Sequence, residues 1–190
     1  MQTEDKAQKW IAAGLATLAG AGVESVRVEV LAQDLGVTKG GFYRQFRDRD
    51  ALLAAMLRHW TEGRIASIEK QTELGRESAG ARLASIIELF ADKANPHGLA
   101  IELAVRQWAR SDERAAGAVA EVDAVRLKRV AGLYSTMGFE ETAARVRAHI
   151  FYSFIFGSEL LFTGADQADV DFVSASAEIL TAPPARVRSG

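Results

Sequence analysis

Apolar residues along this chain recur at three- and four-residue steps. Trp10, Ile11, Gly14, Leu15 and Leu18 form one such face, closed by Gly20-Ala21-Gly22. Leu52, Leu53, Met56, Leu57 and Trp60, continued by Ile65 and Ile68, form a longer one. Leu83, Ile86, Ile87, Phe90 and Ala94 form a third, stopped by Asn95-Pro96. This period belongs to helices with one buried face, and no segment alternates strictly enough for a strand. The pattern predicts an all-α fold of about nine helices, near residues 4–19, 27–35, 38–45, 49–71, 78–94, 98–110, 113–136, 140–162 and 168–181. Alanine, the best helix former, occurs 34 times, and the prolines are Pro96, Pro183 and Pro184. The first helices are short and tightly punctuated, the later ones longer and more apolar. The expected division is a small N-terminal module over 1–48, a helical bundle over 49–182 and a tail over 183–190.

The stretch from Val28 to Phe46 has a more specific layout. Val28, Leu31, Ala32 and Leu35 give a short apolar helix face that runs into Gly36, where glycine permits the left-handed conformation that ends a helix. Val37 follows as an expected buried plug, and Thr38 is a good N-cap for a second short helix. Two short helices joined by a turn containing glycine make a helix-turn-helix. Ala32 suits the close contact between them. In the second helix Phe42 and Phe46, four apart, turn to the core together, so Lys39, Tyr43, Arg44 and Gln45 project elsewhere. Gly40-Gly41 lies in its first turn at a cost of about 1 kcal/mol each relative to Ala, which close backbone approach to a large partner would explain. Exposed NH groups, hydroxyls and cations on one helix end suit phosphates and base edges.

Charge sharpens this reading. The chain carries 23 Lys+Arg against 25 Asp+Glu, a formal −2 that by itself argues mildly against nucleic acid. The distribution is uneven. Over residues 36–60, Lys39, Arg44, Arg47, Arg49 and Arg58 face Asp48 and Asp50, a balance of +3, whereas residues 61–190 stand at −3. The basic footprint is therefore small and local, and two copies in a dimer are expected to supply the affinity.

Here the sequence resembles the N-terminal domain of the TetR family of transcriptional regulators. The resemblance covers about residues 5–60 and rests on Leu31-Ala32, Gly36-Val37-Thr38, Gly40, Phe42-Tyr43, Gln45-Phe46, Arg49-Asp50 and Leu52-Leu53. It implies an N-terminal three-helix helix-turn-helix domain followed by a C-terminal helical bundle for ligand binding and dimerisation. Its expected partners are a double-stranded DNA operator, a small-molecule effector and a second copy of the chain, and its expected role is repressor. Arg27, Thr38, Lys39, Gly40, Gly41, Tyr43, Arg44, Gln45 and Arg49 are the expected DNA contacts, with Lys39 and Arg44 reading bases and Tyr43 donating to phosphate. Where the family often opens the helix before the turn with a Thr on phosphate, this chain has Ser25-Val26-Arg27, leaving Arg27 for the phosphate and Ser25 for the cap. Gly41 stands where Thr is frequent, Gln45 where His is usual, and Arg49 where Lys is usual. These changes bear on which bases are read.

The C-terminal region carries less specific signals. Trp60, Phe90 and Trp108 fit a cavity lining or plain core, and with Arg106 they are the candidate ligand-binding residues. Glu102 and Arg106, four apart in the favourable order, read as a surface ion pair. His97, His149 and Glu159 carry no clearer assignment. From Val146 to Phe162 the chain is apolar on nearly all sides, more than one small monomer can cover. A second copy would cover it, or the helix is a central core element. The resemblance implies the former, with Ile150, Phe151, Phe154, Gly157, Leu161 and Phe172 at the interface.

Other chemistries find little support. There is no cysteine, and His59, His97 and His149 have no metal-ligand spacing, so neither metal nor cofactor is expected. Glu140-Glu141 reads as a helix start, and Ser111 as the N-cap before Asp112-Glu113. Ser111, Ser153 and Ser158 lack a His-Asp pair at recognisable spacing, and no phosphate loop is present, so no enzyme is expected. No run of about 18 apolar residues could span a membrane, which gives a cytoplasmic expectation. The competing class is a helical ligand-binding module without DNA function.

Overall fold

The structure, a computed structural model, describes residues 2–73, 75, 77–91, 96–161 and 170–184. Among them lie α1 (Gln2–Ala21), a 3-10 turn (Val23–Ser25), α2 (Val28–Asp34), α3 (Lys39–Tyr43), α4 (Arg49–Thr72), α5 (Ala79–Ala91), α6 (Pro96–Trp108), α7 (Glu113–Thr136), α8 (Glu141–Leu161) and α9 (Val170–Thr181). No strand occurs among the described residues, and no helix there is long and apolar enough to cross a membrane. Phe162 and the tail beyond residue 184 lie outside the described residues, as do the side chains of His97 and Glu159.

The chain packs as two compact units, residues 1–64 with 95–122 and residues 65–94 with 123–190. Helices α4 and α7 each contribute to both. Compactness thus groups α6 and the first part of α4 with the N-terminal helices, a pairing that no local sequence signal carries.

In the first unit, Trp10, Ile11, Leu15 and Leu18 of α1 are buried with Val28, Leu31 and Ala32 of α2, Phe42 of α3, and Leu52, Leu53 and Met56 of α4. A Cβ at Gly14 would stand 2.6 Å from the Met56 Sδ, so the bare surface of α1 is what lets that sulfur sit where it does. Helix α1 also packs along α6. Helix α7 starts on Asp112, not on the expected Ser111. The Asp112 Oδ1 accepts the amides of Arg114 (2.8 Å) and Ala115 (3.3 Å), while the Ser111 hydroxyl turns back to the Trp108 carbonyl at 3.3 Å. The Arg114 side chain bonds the same carboxylate and, with the two amides, holds it down to about 2 against the opposing effect of desolvation. A carboxyl depressed in the folded state contributes stability above its unfolded pKa and loses it as pH falls toward the folded value. The melting temperature should therefore drop between pH of about 5 and about 2, and Asp112→Asn should flatten part of that drop in a pH series of thermal melts.

In the second unit, Leu83, Ile86 and Ile87 of α5, Val130, Leu133 and Tyr134 of α7, Ala144, Ala148, Phe151 and Ile155 of α8, and Ala177 of α9 form one core. Helix α5 packs on α9. The Tyr134 hydroxyl donates to the Leu180 carbonyl at 2.8 Å, and burial pushes this phenol up to about 12. Arg126 is almost fully buried, paired with Asp123 at 2.9 Å, with its guanidinium 5.1 Å from the ring centres of both Tyr152 and Phe156.

Candidate nucleic-acid interface and its supporting residues

The turn between α2 and α3 is built on Gly36, at φ 64°. The Gly36 amide donates to the Gln33 carbonyl (3.0 Å) and the Val37 amide to the Ala32 carbonyl (2.9 Å), the paired bonds of a Schellman end. Val37 is 48% exposed, contrary to the expected plug. Its amide is used to close the helix, and the chain then runs outward into Thr38, so the side chain stays at the surface. Thr38 has the extended backbone of an N-cap, but its side chain makes no capping bond.

Helix α3 is shorter than its periodicity predicts, five residues in place of 38–45. Phe42 anchors it. That ring is fully buried, edge-on to Trp10 at 5.2 Å and beside Phe46 at 5.6 Å. With Phe42 turned in, Tyr43 is 59% exposed and Arg44 is exposed; the Arg44 amide donates to the Phe42 carbonyl, and its side chain makes no hydrogen bond or ion pair to another described residue. A Cβ at Gly41 would meet nothing within 4 Å, and at Gly40 only the Thr38 Oγ1 at 3.7 Å. Neither glycine has a positive φ. Nothing among the described residues requires them.

The basic cluster is thinner in space than along the sequence. Lys39 pairs with Glu29 at 2.8 Å, both exposed, and this contact holds the Glu29 carboxyl below its ordinary range. Arg47 pairs with Asp48 at 2.6 Å. Arg49 is engaged inward: its Nε donates to the Val26 carbonyl (2.7 Å) and its Nη2 to the Val23 carbonyl (2.6 Å). It ties the first turn of α4 to the 3-10 turn and the entry to α2. Arg27 is exposed at the N-cap position of α2, and Ser25 donates to the Ala21 carbonyl (2.9 Å), finishing α1 where a cap on α2 was expected.

This fold and segment match known proteins. Residues 11–56 match the family described as bacterial regulatory proteins, tetR family. The chain is 30% identical over 156 residues to the HTH-type transcriptional regulator BetI of Cronobacter sakazakii, covering 77% of this chain and 74% of BetI. It belongs to the TetR family. A regulator of Saccharomonospora viridis solved with choline superposes with a TM-score of 0.75 at 18% identity, covering 93% of this chain and 95% of that one. FadR of Bacillus subtilis solved with stearoyl-CoA gives 0.68 at 20% identity, covering 94% and 99%. The chain is thus a transcriptional regulator with a DNA-binding helix-turn-helix, of a family that is generally non-enzymatic.

The candidate effector residues of this TetR-family chain are drawn from both units. Trp60, Arg106 and Trp108 belong to the first unit, while Phe90 packs partly buried on the core of the second. Trp108 lines a cavity of about 370 Å³ with Leu18, Gly22, Val23, Ala104 and Gln107, where α6 meets the end of α1. Glu102 is 1% exposed, so its pair with Arg106 (2.8 Å) is buried on the carboxylate side and not the expected surface pair. Arg64 of α4 reaches the same carboxylate at 3.1 Å. Periodicity within α6 places Glu102 one turn before Arg106 but is silent on Arg64, thirty-eight positions away.

The candidate dimer residues also divide. Phe151 is fully buried, edge-on to Tyr134 and Tyr152, and belongs to the core of its own unit. Its face of α8 continues through Ala144, Ala148 and Ile155. Phe154 is half-buried against Phe172 at 6.0 Å. Val146, Ile150, Leu160 and Leu161 remain exposed on α8, as do Phe172 and Ile179 on α9, and a Cβ at Gly157 would meet nothing within 4 Å.

Proposed function

We propose that this regulator acts as a homodimer that sets two α3 helices in successive major grooves of a near-palindromic operator, and that it is a repressor released by a small-molecule effector. The observation that carries the DNA-reading surface is the bare outer side of α3. Gly40 and Gly41 lie where no internal contact needs them, beside Tyr43 and Arg44, which project outward. Glycine there admits a duplex backbone that a side chain would hold off. Arg44 is assigned to a base edge, with a guanidinium suited to a guanine. Lys39 joins it by exchanging Glu29 for the DNA, a small cost for an exposed pair. Tyr43, Thr38, Gln45 and Arg27 take phosphates. The exposed methyls of Val37 suit a thymine methyl. Arg49 acts by positioning, through Val23 and Val26. A regulator acting on DNA works in the cytoplasm.

The dimer reading rests on the uncovered apolar stripes of α8 and α9. The effector reading rests on related folds with bound choline and stearoyl-CoA, and assigns Trp60, Arg106 and Trp108 of the first unit to ligand recognition, with Phe90 of the second unit as a separate candidate. An effector that prefers the conformation with wrongly spaced recognition helices must, by linkage, weaken DNA binding.

Selection of bound sequences from random duplex DNA tests this reading. Two half-sites about 10 base pairs apart are expected. Arg44→Ala should then cost ~1–3 kcal/mol in a gel-shift titration and relax preference at one base pair. Failure to enrich any sequence would favour a ligand-binding module without DNA function, and unchanged affinity would remove Arg44 from the interface.

A further inference from the structure

We infer that Glu29 is a base-reading residue, and that with Lys39 it recognises one G·C base pair in each half-site, the ammonium on guanine and the carboxylate accepting from the cytosine amino group. The inference rests on the reading that α3 docks in a major groove, and it adds a residue of α2 to that surface. Glu29 lies in the first turn of α2 and Lys39 opens α3. Their side chains meet at 2.8 Å, with Glu29 60% and Lys39 57% exposed. Neither has another side chain as partner among the described residues. The hydrogen bond from Lys39 is the first of the causes that hold the Glu29 carboxyl below its ordinary range, so the group is ionised at neutral pH.

The exchange that brings Lys39 to DNA has a second side. An ammonium that turns to a guanine leaves a carboxylate behind, close to a polyanion. Phosphates repel that carboxylate, so on DNA that offers nothing else the pair stays closed and adds no net charge to binding. What the carboxylate needs is a donor, and in the major groove the donors are the amino groups of cytosine and adenine. Guanine O6 and cytosine N4 are themselves joined by a Watson–Crick bond of about 2.9 Å, close to the 2.8 Å between Lys39 and Glu29. The pair therefore fits side by side on those two atoms, and one ion pair is traded for two charge-assisted bonds. With Lys39 over one strand and Glu29 over the other, the four base pairs separate. G·C gives the ammonium O6 and N7 and gives the carboxylate N4. T·A serves both groups, with a single acceptor for the ammonium. A·T sets the carboxylate against thymine O4, and C·G opposes both groups.

The surroundings suit this role. Lys39 directly precedes Gly40 and Gly41, where an added Cβ would meet no more than the Thr38 Oγ1, so the backbone beside the pair is free to come close to a groove. Arg47 is taken by Asp48, and Arg49 by the Val23 and Val26 carbonyls, so neither competes for Glu29. An exposed ion pair adds little to the stability of a fold, which separates base reading from a purely structural role.

The test takes the full chain and its Glu29→Gln variant through selection from random duplex DNA. The two selections should differ at one position of each half-site, where the parent keeps G·C. Gel-shift titrations then compare the selected operator with the same duplex carrying A·T at that position in one half-site. Glutamine keeps the shape of glutamate, and its amide adds a donor that thymine O4 accepts. The parent should bind the A·T duplex at least about fivefold more weakly, and Glu29→Gln should bind both duplexes within about twofold. Freed from the carboxylate, Lys39 should also tighten binding to random-sequence duplex, with a salt slope steeper by about 0.9 for each Lys39 that gains a phosphate. The variant should melt close to the parent, as loss of an exposed pair requires. The inference is overturned if both proteins select the same base at every position, or if the parent prefers A·T or C·G where they differ. It is also overturned if Glu29→Gln loses affinity for operator and random duplex by the same factor, the mark of a structural role. Failure of the parent to select any DNA strikes the DNA-reading surface itself and this inference with it, a result distinct from an operator that ignores Glu29.

Discussion

Ile150→Glu should give a folded monomer that has lost most of its DNA affinity. Ile150 is 52% exposed on α8, so a carboxylate there meets solvent in the isolated chain and leaves its own core intact. In the proposed dimer the same carboxylate would be buried in an apolar interface without a partner, which is costly. Losing the second half-site turns a bivalent contact into a monovalent one, and affinity should fall by about 10²- to 10⁴-fold without any change in α3. Light scattering should report the monomer mass, and circular dichroism a helix content equal to the parent. Phe151→Ala is the control from the adjacent position. That ring is fully buried, so its loss should cost ~3–5 kcal/mol of stability in urea unfolding and leave the association state of the folded fraction unchanged. A dimeric Ile150→Glu protein with unchanged DNA affinity would place the interface elsewhere.

That contrast between neighbouring residues also shows what was legible in the sequence. The three- and four-residue spacing located the helices, and α7 occupies the expected 113–136 because apolar period, N-terminal acid and following glycine all agree. The turn at Gly36 and the inward aromatic at Phe42 were equally readable, since each depends on a few consecutive residues. Periodicity says that a face is apolar, and does not say which neighbour covers it. On α8 apolar residues run round the helix, so Phe151 and Ile150 look alike in sequence although one faces the core and the other solvent. The buried Glu102 carries the same lesson, because its second cation comes from a different helix. Val37 is exposed for a local reason. Hydrophobicity suggested burial, but the side chain follows a backbone whose course is set by closing α2.

Arg49→Ala should have its largest effect on stability, and should affect DNA binding through it. The expected DNA role came from charge and position, yet the guanidinium bonds two carbonyls, those of Val23 and Val26. Neither carbonyl belongs to a long helix. Both lie in the short stretch that carries the chain from α1 to α2, where the other bonds are local ones between residues at most four apart. Alanine removes two bonds to a charged donor at once, and a loss of about 2–4 kcal/mol is expected in urea unfolding. Arg49→Lys separates the two roles. An ammonium keeps the charge for a phosphate but lacks the planar fork that spans two acceptors, so it should restore only part of the stability. If Arg49 were chiefly a phosphate contact, lysine would restore binding, alanine would leave stability nearly untouched, and the salt dependence of operator affinity would fall by about one phosphate contact in the alanine variant alone. If it positions α2 through Val23 and Val26, both variants should lose stability in the order Ala more than Lys. Their DNA affinity should then follow the folded geometry of the turn, with an unchanged salt slope.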